Sequence, residues 1–166
     1  MGSCSLTSWR FSRWKFRPMS KSKHRPAAPH AEEMAAVKQI YADLATLPIS
    51  RNCTGISECC RFKLTGRTPF ITKGEALVAW QGIRASGRKA LPASIDGACP
   101  LLKPDGKCMI YQHRPFGCRT HFCKAAGGPY SRDEVRALIQ RLEVIDRKLG
   151  GDGGVNLPAA LDQLAD

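Results

Sequence analysis

Between Cys99 and Cys123 the chain reads CPLLKPDGKCMIYQHRPFGCRTHFC, with four cysteines and three prolines in 25 residues. Pro100, Pro104 and Pro115 interrupt any helix or ladder, and PDGK at 104–107 is a turn signal. Only CMIY has the composition of a short strand. Backbone hydrogen bonds alone cannot organise such a segment. It needs a core to lie on or a metal to knit it.

A second burst of thiols precedes it in NCTGISECCRF, with Cys53, Cys59 and Cys60 inside eight residues. Seven of the eight cysteines therefore fall into two groups, and Cys4 stands apart near the start. The first 30 residues contain no apolar run of the length an export signal needs, and the opening MGSCSL lacks the hydroxyl residue of a myristoylation site. The expected compartment is the reducing cytosol. There clustered cysteines serve as metal ligands or catalytic groups more often than as disulfides.

Charge divides the chain at about residue 30. Residues 1–30 hold seven Lys or Arg and no acid. The remainder holds nineteen basic and fourteen acidic residues. Residues 1–30 read as a disordered basic tail with an aromatic-basic stretch, WRFSRWKF, and Met19 is a second candidate start. Residues 31–166, only mildly basic, read as one domain. Nucleic-acid binding is not indicated by that balance, and no window is long and apolar enough to span a membrane.

The domain should be a small, mainly helical α+β fold around an irregular cysteine-rich region. Met34, Val37, Tyr41, Leu44 and Leu47 predict an amphipathic helix over 31–47, stopped by Pro48. RFKLTGRTPFI reads as short extended pieces broken by Gly66 and Pro69. Thr72 and Glu75 form a capping box that starts a helix through GEALVAWQGIRAS, with Ala76, Leu77, Trp80 and Ile83 inward. Ser131 and Glu134 open a second capped helix ending at Gly150, with Val135, Leu138, Ile139, Leu142, Ile145 and Leu149 on its apolar face. GDGG at 151–154 follows a helix rather than preceding one, so it reads as a flexible connector and not a phosphate loop. A short helix is expected from Pro158.

Thiolates suit zinc, which takes four at about 2.3 Å, and iron–sulfur clusters, commonly held by four cysteines. The candidate ligands are Cys53, Cys59, Cys60, Cys99, Cys108, Cys118 and Cys123. Seven exceed one tetrathiolate site, which tilts the reading towards a cluster, [4Fe–4S] first, with zinc as the alternative. His121 in CRTHFC could complete a second site, although its first reading is a structural histidine, and His113 has a weaker case. A four-thiolate site carries a formal charge near −2, and Arg114 and Arg119 in RPFGCR are the candidates to offset it from behind the ligands.

These motifs resemble the YkgJ-like cysteine-cluster family, described as zinc- or iron-chelating domains. The family pattern C-x2-C-x2-C-C is matched at Cys53, Cys59 and Cys60, with Ile56 in place of the second cysteine. The later pattern C-P-x-L, then G-x-C-x-I-Y-x-x-R-P-x-x-C-R, is matched first through Cys99, Pro100, Leu102, Gly106, Cys108 and Ile110. It continues through Tyr111, Arg114, Pro115, Cys118 and Arg119. The resemblance covers about residues 50–125 and implies a metal or iron–sulfur site. Its relatives include a flagellin lysine N-methylase and proteins labelled Fe–S oxidoreductases. The function expected first is metal binding for electron transfer, redox sensing or metal handling. The alternatives are a cluster-dependent enzyme (N-methylase-like or oxidoreductase) and a zinc-stabilised RNA or protein adaptor. Among partners, a metal comes first and a protein second. No glycine-rich loop after a strand offers a site for S-adenosylmethionine.

Overall fold

The computed structural model describes residues 29–49, 51, 53, 55 and 57–165. Residues 1–28, with Cys4 and all but the last two residues of the expected disordered tail over 1–30, lie outside the described residues, as does Ile56.

Helix α3 (Lys73–Ala85) is the centre of the molecule, with α1 (Ala31–Ala45), α5 (Arg132–Lys148) and α6 (Leu157–Asp162) packed around it. Its Val78 joins Val37, Ile40, Leu142 and Ile145 in one core, while Ala76, Ala79 and Ile83 join Leu101, Ile110 and Leu161 in another. Small residues on two faces let helices approach on both. This broad burial explains why Leu77 and Trp80 are only half-buried, contrary to the simple amphipathic expectation, while Val78 and Ala79 are fully buried. Helix α1 ends at Ala45, two residues before the expected limit, and buries Ile40 besides the expected stripe.

Both capping boxes form, Thr72 with Glu75 and Ser131 with Glu134. The stretch expected to be extended is partly helical. A single turn, α2 (Phe62–Thr65), ends at Gly66 with φ +64°, a conformation glycine adopts without strain. A two-residue strand β1 (Phe70–Ile71) then pairs antiparallel with β2 (Val155–Asn156). CMIY contributes no strand. Cys108 makes one isolated bridge to Leu102 across the 103–107 turn, and Tyr111–His113 is a 3-10 turn. The cysteine-rich segment lies on a core, with Leu101, Ile110 and Phe116 buried. No helix among the described residues is long and apolar enough to cross a membrane.

The GDGG stretch is tied down rather than loose. Asp146 of α5, 1% exposed, accepts the N–H of Lys73 at 2.8 Å and of Gly153 at 3.0 Å. Gly151 N donates to the Asp146 carbonyl at 2.8 Å. A Cβ on Gly151 would stand 2.3 Å from both carboxylate oxygens. Gly151→Ala should therefore cost roughly 2–3 kcal/mol by overpacking and displacement of that carboxylate. Urea unfolding would read this. An unchanged midpoint would show that Asp146 does not occupy this position. The last helix starts one residue before Pro158, capped by Asn156 Oδ1 accepting Ala159 N.

Candidate metal centre

The two cysteine groups meet directly. Cys60 ends a 3-10 turn (Glu58–Cys60), and its carbonyl accepts the N–H of Cys99 at 2.7 Å. Lys63 N donates to Gly97 O beside it. Cys108 closes back over Leu102 by the bridge already described. Cys118 comes from α4 (Phe116–Thr120), a helix of barely more than one turn.

What aims that short helix is a buried carboxylate. Glu75, 3% exposed, accepts Thr72 N and Thr72 Oγ1 at Oε2, both at 2.9 Å. Its other oxygen, Oε1, accepts Phe116 N at 2.7 Å. One side chain thus caps α3 and satisfies the first free N–H of α4. Burial pushes Glu75 above the usual carboxylate range, against the pull of the three hydrogen bonds.

Cys59, Cys60, Cys99, Cys108 and Cys118 all face one cleft of about 820 Å³. At this closeness the thiols shift one another's acidity. Burial first, then Cys99, Cys108 and Cys59, push the Cys118 thiol up. Burial raises Cys99 to about 11, with Cys108 and Cys59 adding to it. Burial likewise raises Cys108. Cys59 and Cys60 stand with their sulfurs 4.0 Å apart and behave as a pair, so the hydrogen bond from Cys60 lowers Cys59 and holds Cys60 protonated. Burial thus favours the protonated thiols of Cys99, Cys108 and Cys118, and a bound metal would displace those protons.

A smaller hollow of about 30 Å³ lies against the cleft. Cys53, Cys59, Cys118 and His121 border both, and Cys123 borders the small hollow alone of the two. Cys53 is exposed and Cys123 half-buried. All seven candidate cysteines therefore gather around two adjoining spaces. Among the described residues, no three His, Cys, Asp or Glu side chains close to single-ion distance. The thiols surround a volume rather than a point.

The two arginines divide the work. Arg114 borders both spaces, its charge pulls Cys59, Cys108 and Cys118 towards the thiolate, and its guanidinium lies 3.9 Å over the Tyr111 ring. Its Nε is buried with no hydrogen-bond partner. A buried donor without an acceptor costs about 1–3 kcal/mol, so a negatively charged sulfur-bound group in the cleft would relieve it. In that respect the residues fit a thiolate-held metal. Arg119 is committed elsewhere, donating to the carbonyls of Gln112 and Arg114 and stacking 4.2 Å over Tyr41. It shapes the loop that carries Arg114. His113 sits on α3 at Gly82, where an added Cβ would meet its Cβ at 2.8 Å. Burial lowers its basicity. Neither Glu75's reach to Phe116 nor the orphaned Arg114 donor has a local sequence signal.

A family model described as "CxxCxxCC: Putative zinc- or iron-chelating domain" matches residues 52–140, more than half of the chain. No curated protein and no solved structure matches.

Proposed function

The chain belongs to this family of zinc- or iron-chelating domains, and on that premise we propose that it holds an iron–sulfur cluster, [4Fe–4S] first, used for electron transfer or redox sensing. The supporting observation is the set of six thiols, Cys53, Cys59, Cys60, Cys99, Cys108 and Cys118, around one cleft. Four of them would be the ligands, and such a group would supply one-electron chemistry. A thiol set that encloses a volume suits a group with bulk of its own better than a lone ion. Arg114 would offset the negative charge and donate to sulfur. Residues 31–166 would act as one domain in the reducing cytosol.

A specific observation favours a second reading. The 4.0 Å separation of the Cys59 and Cys60 sulfurs is near the edge of about 3.8 Å expected for a zinc tetrahedron with bonds of about 2.3 Å. The small hollow bordered by Cys53, Cys59, Cys118, Cys123 and His121 is a separate place of about one ion's size, since Cys60 does not border it. Zinc at either place would play a structural or metal-handling role.

The deciding experiment is to purify the full chain without oxygen, measure iron, sulfide and zinc per chain, and record the visible spectrum. Iron and sulfide in equal amounts, in coloured protein, is the expected result. Colourless protein with one or two zinc ions overturns the cluster and supports the second reading. Folded protein retaining neither metal overturns both.

A further inference from the structure

The large cleft exceeds what a metal group needs. A metal ion is smaller than a water molecule, whose share of liquid is about 30 Å³. Even a cube of eight iron and sulfur atoms leaves much of about 820 Å³ open. That volume falls within the range of about 300–1,000 Å³ typical of small-molecule sites.

Its other walls have a definite chemistry. Phe62, Pro69 and Leu157 line it with apolar surface. Phe70 and Tyr111 line it while remaining 67% and 46% exposed, so two aromatic rings stand at its open side. Arg114 lies 3.9 Å over one face of Tyr111, which leaves its other face and the Phe70 ring for a ligand. The charged groups on the lining are all cations: Arg67, Lys103, Lys107 and Arg114. No Asp or Glu is among the residues lining the cleft. Lys103 pairs with Asp105. Arg67 and Lys107 are exposed and take no part in the ion pairs among the described residues.

We propose that this cleft binds, beside the metal group, a small organic anion with a flat apolar body. The aromatic pair would hold the flat body, and Arg67 and Lys107 would take the anionic end. Residues 1–30 cannot supply the occupant's charge, since they carry seven cations and no acid, and a second copy of a chain with net charge +12 is repelled likewise. The inference rests on the metal reading only for what lies beside the ligand.

The probe is 2-naphthoate, with neutral 2-naphthylmethanol as its counterpart. Each is titrated into the full chain purified without oxygen, with metal content measured on the same samples. Naphthoate should bind saturably and about tenfold more tightly than the alcohol. Phe70→Ser, at an exposed ring, should weaken naphthoate about fivefold or more with metal content and circular dichroism unchanged. The double variant Arg67→Gln with Lys107→Gln should abolish the preference for the acid. Equal affinity for acid and alcohol, absence of saturable binding, or wild-type binding by Phe70→Ser would overturn the proposal. Protein that lacks metal yet binds naphthoate in the expected pattern would sink the cluster and leave this site standing.

Discussion

Cys99→Ala should give a folded protein that has lost nearly all of its metal. The thiol is buried in the cleft, and its raised pKa comes from that burial and from Cys108 and Cys59 beside it. Thiolate-held zinc is worth about 10–16 kcal/mol in small domains, so each of four ligands supplies roughly 2.5–4 kcal/mol, about seventyfold or more in affinity. The fold should survive, because the N–H that bonds Cys60 O belongs to the backbone and alanine keeps it. Cys108→Ala should behave alike, whereas Cys123→Ala should retain metal, since Cys123 borders only the small hollow. Metal per chain after passage over a chelator reads all three. The reverse pattern, with Cys123→Ala empty and Cys99→Ala loaded, would move the metal to the hollow. Cys59 and Cys118 border both spaces and cannot discriminate.

The second large effect belongs to Glu75. Glu75→Gln leaves one acceptor oxygen where two are used, and points an amide donor at the N–H of either Thr72 or Phe116. At about 1–3 kcal/mol for each buried group left unpaired, the loss should be roughly 2–4 kcal/mol. The N-terminus of α4 loses its anchor, so metal retention through Cys118 should fall as well. The pH dependence follows from the raised carboxyl. In the window between the usual carboxylate value and the raised one, the folded chain holds the proton that the unfolded chain has released. Stability from this group is thus full at acid pH and declines as pH rises through the window. Asp146 adds to the rise, and the hydrogen bonds from Thr72 and Phe116 oppose it. The gap in urea midpoint between wild type and Glu75→Gln should therefore be widest at acid pH and narrow upward. A gap that widens with pH would mean that Glu75 is held ionised.

Much of this architecture was legible in the residues. Both capping boxes, the three main helices and the apolar face of α5 follow from local pattern, because capping and amphipathic periodicity are properties of a few neighbouring positions. The thiol chemistry was legible too, since two tight groups of cysteines carry the motifs of a zinc- or iron-chelating domain. What escaped depends on distant partners. Strands of two residues such as β1 and β2 have no periodicity to detect, and each exists because the other lies beside it. Helix α4 is too short for a helical pattern and starts where Glu75, 41 positions away, accepts its first N–H. GDGG looked slack because glycine is usually read as freedom, whereas here the missing Cβ makes room for Asp146. The split of seven cysteines into Cys60, Cys99 and Cys108 at the cleft alone, Cys123 at the hollow alone, and Cys53, Cys59 and Cys118 bordering both is likewise a matter of packing.

The hydrogen bond from Cys99 N to Cys60 O has a thermodynamic consequence. It closes a loop of 38 residues, 61–98, with a backbone contact. Closing a loop of that length costs roughly 3 kcal/mol in chain entropy. In a zinc finger the ion bears such a cost, and the apo chain is unfolded. Here a backbone hydrogen bond and the packing of Ile83, inside the loop, against Leu101, just beyond it, bear part of that cost themselves.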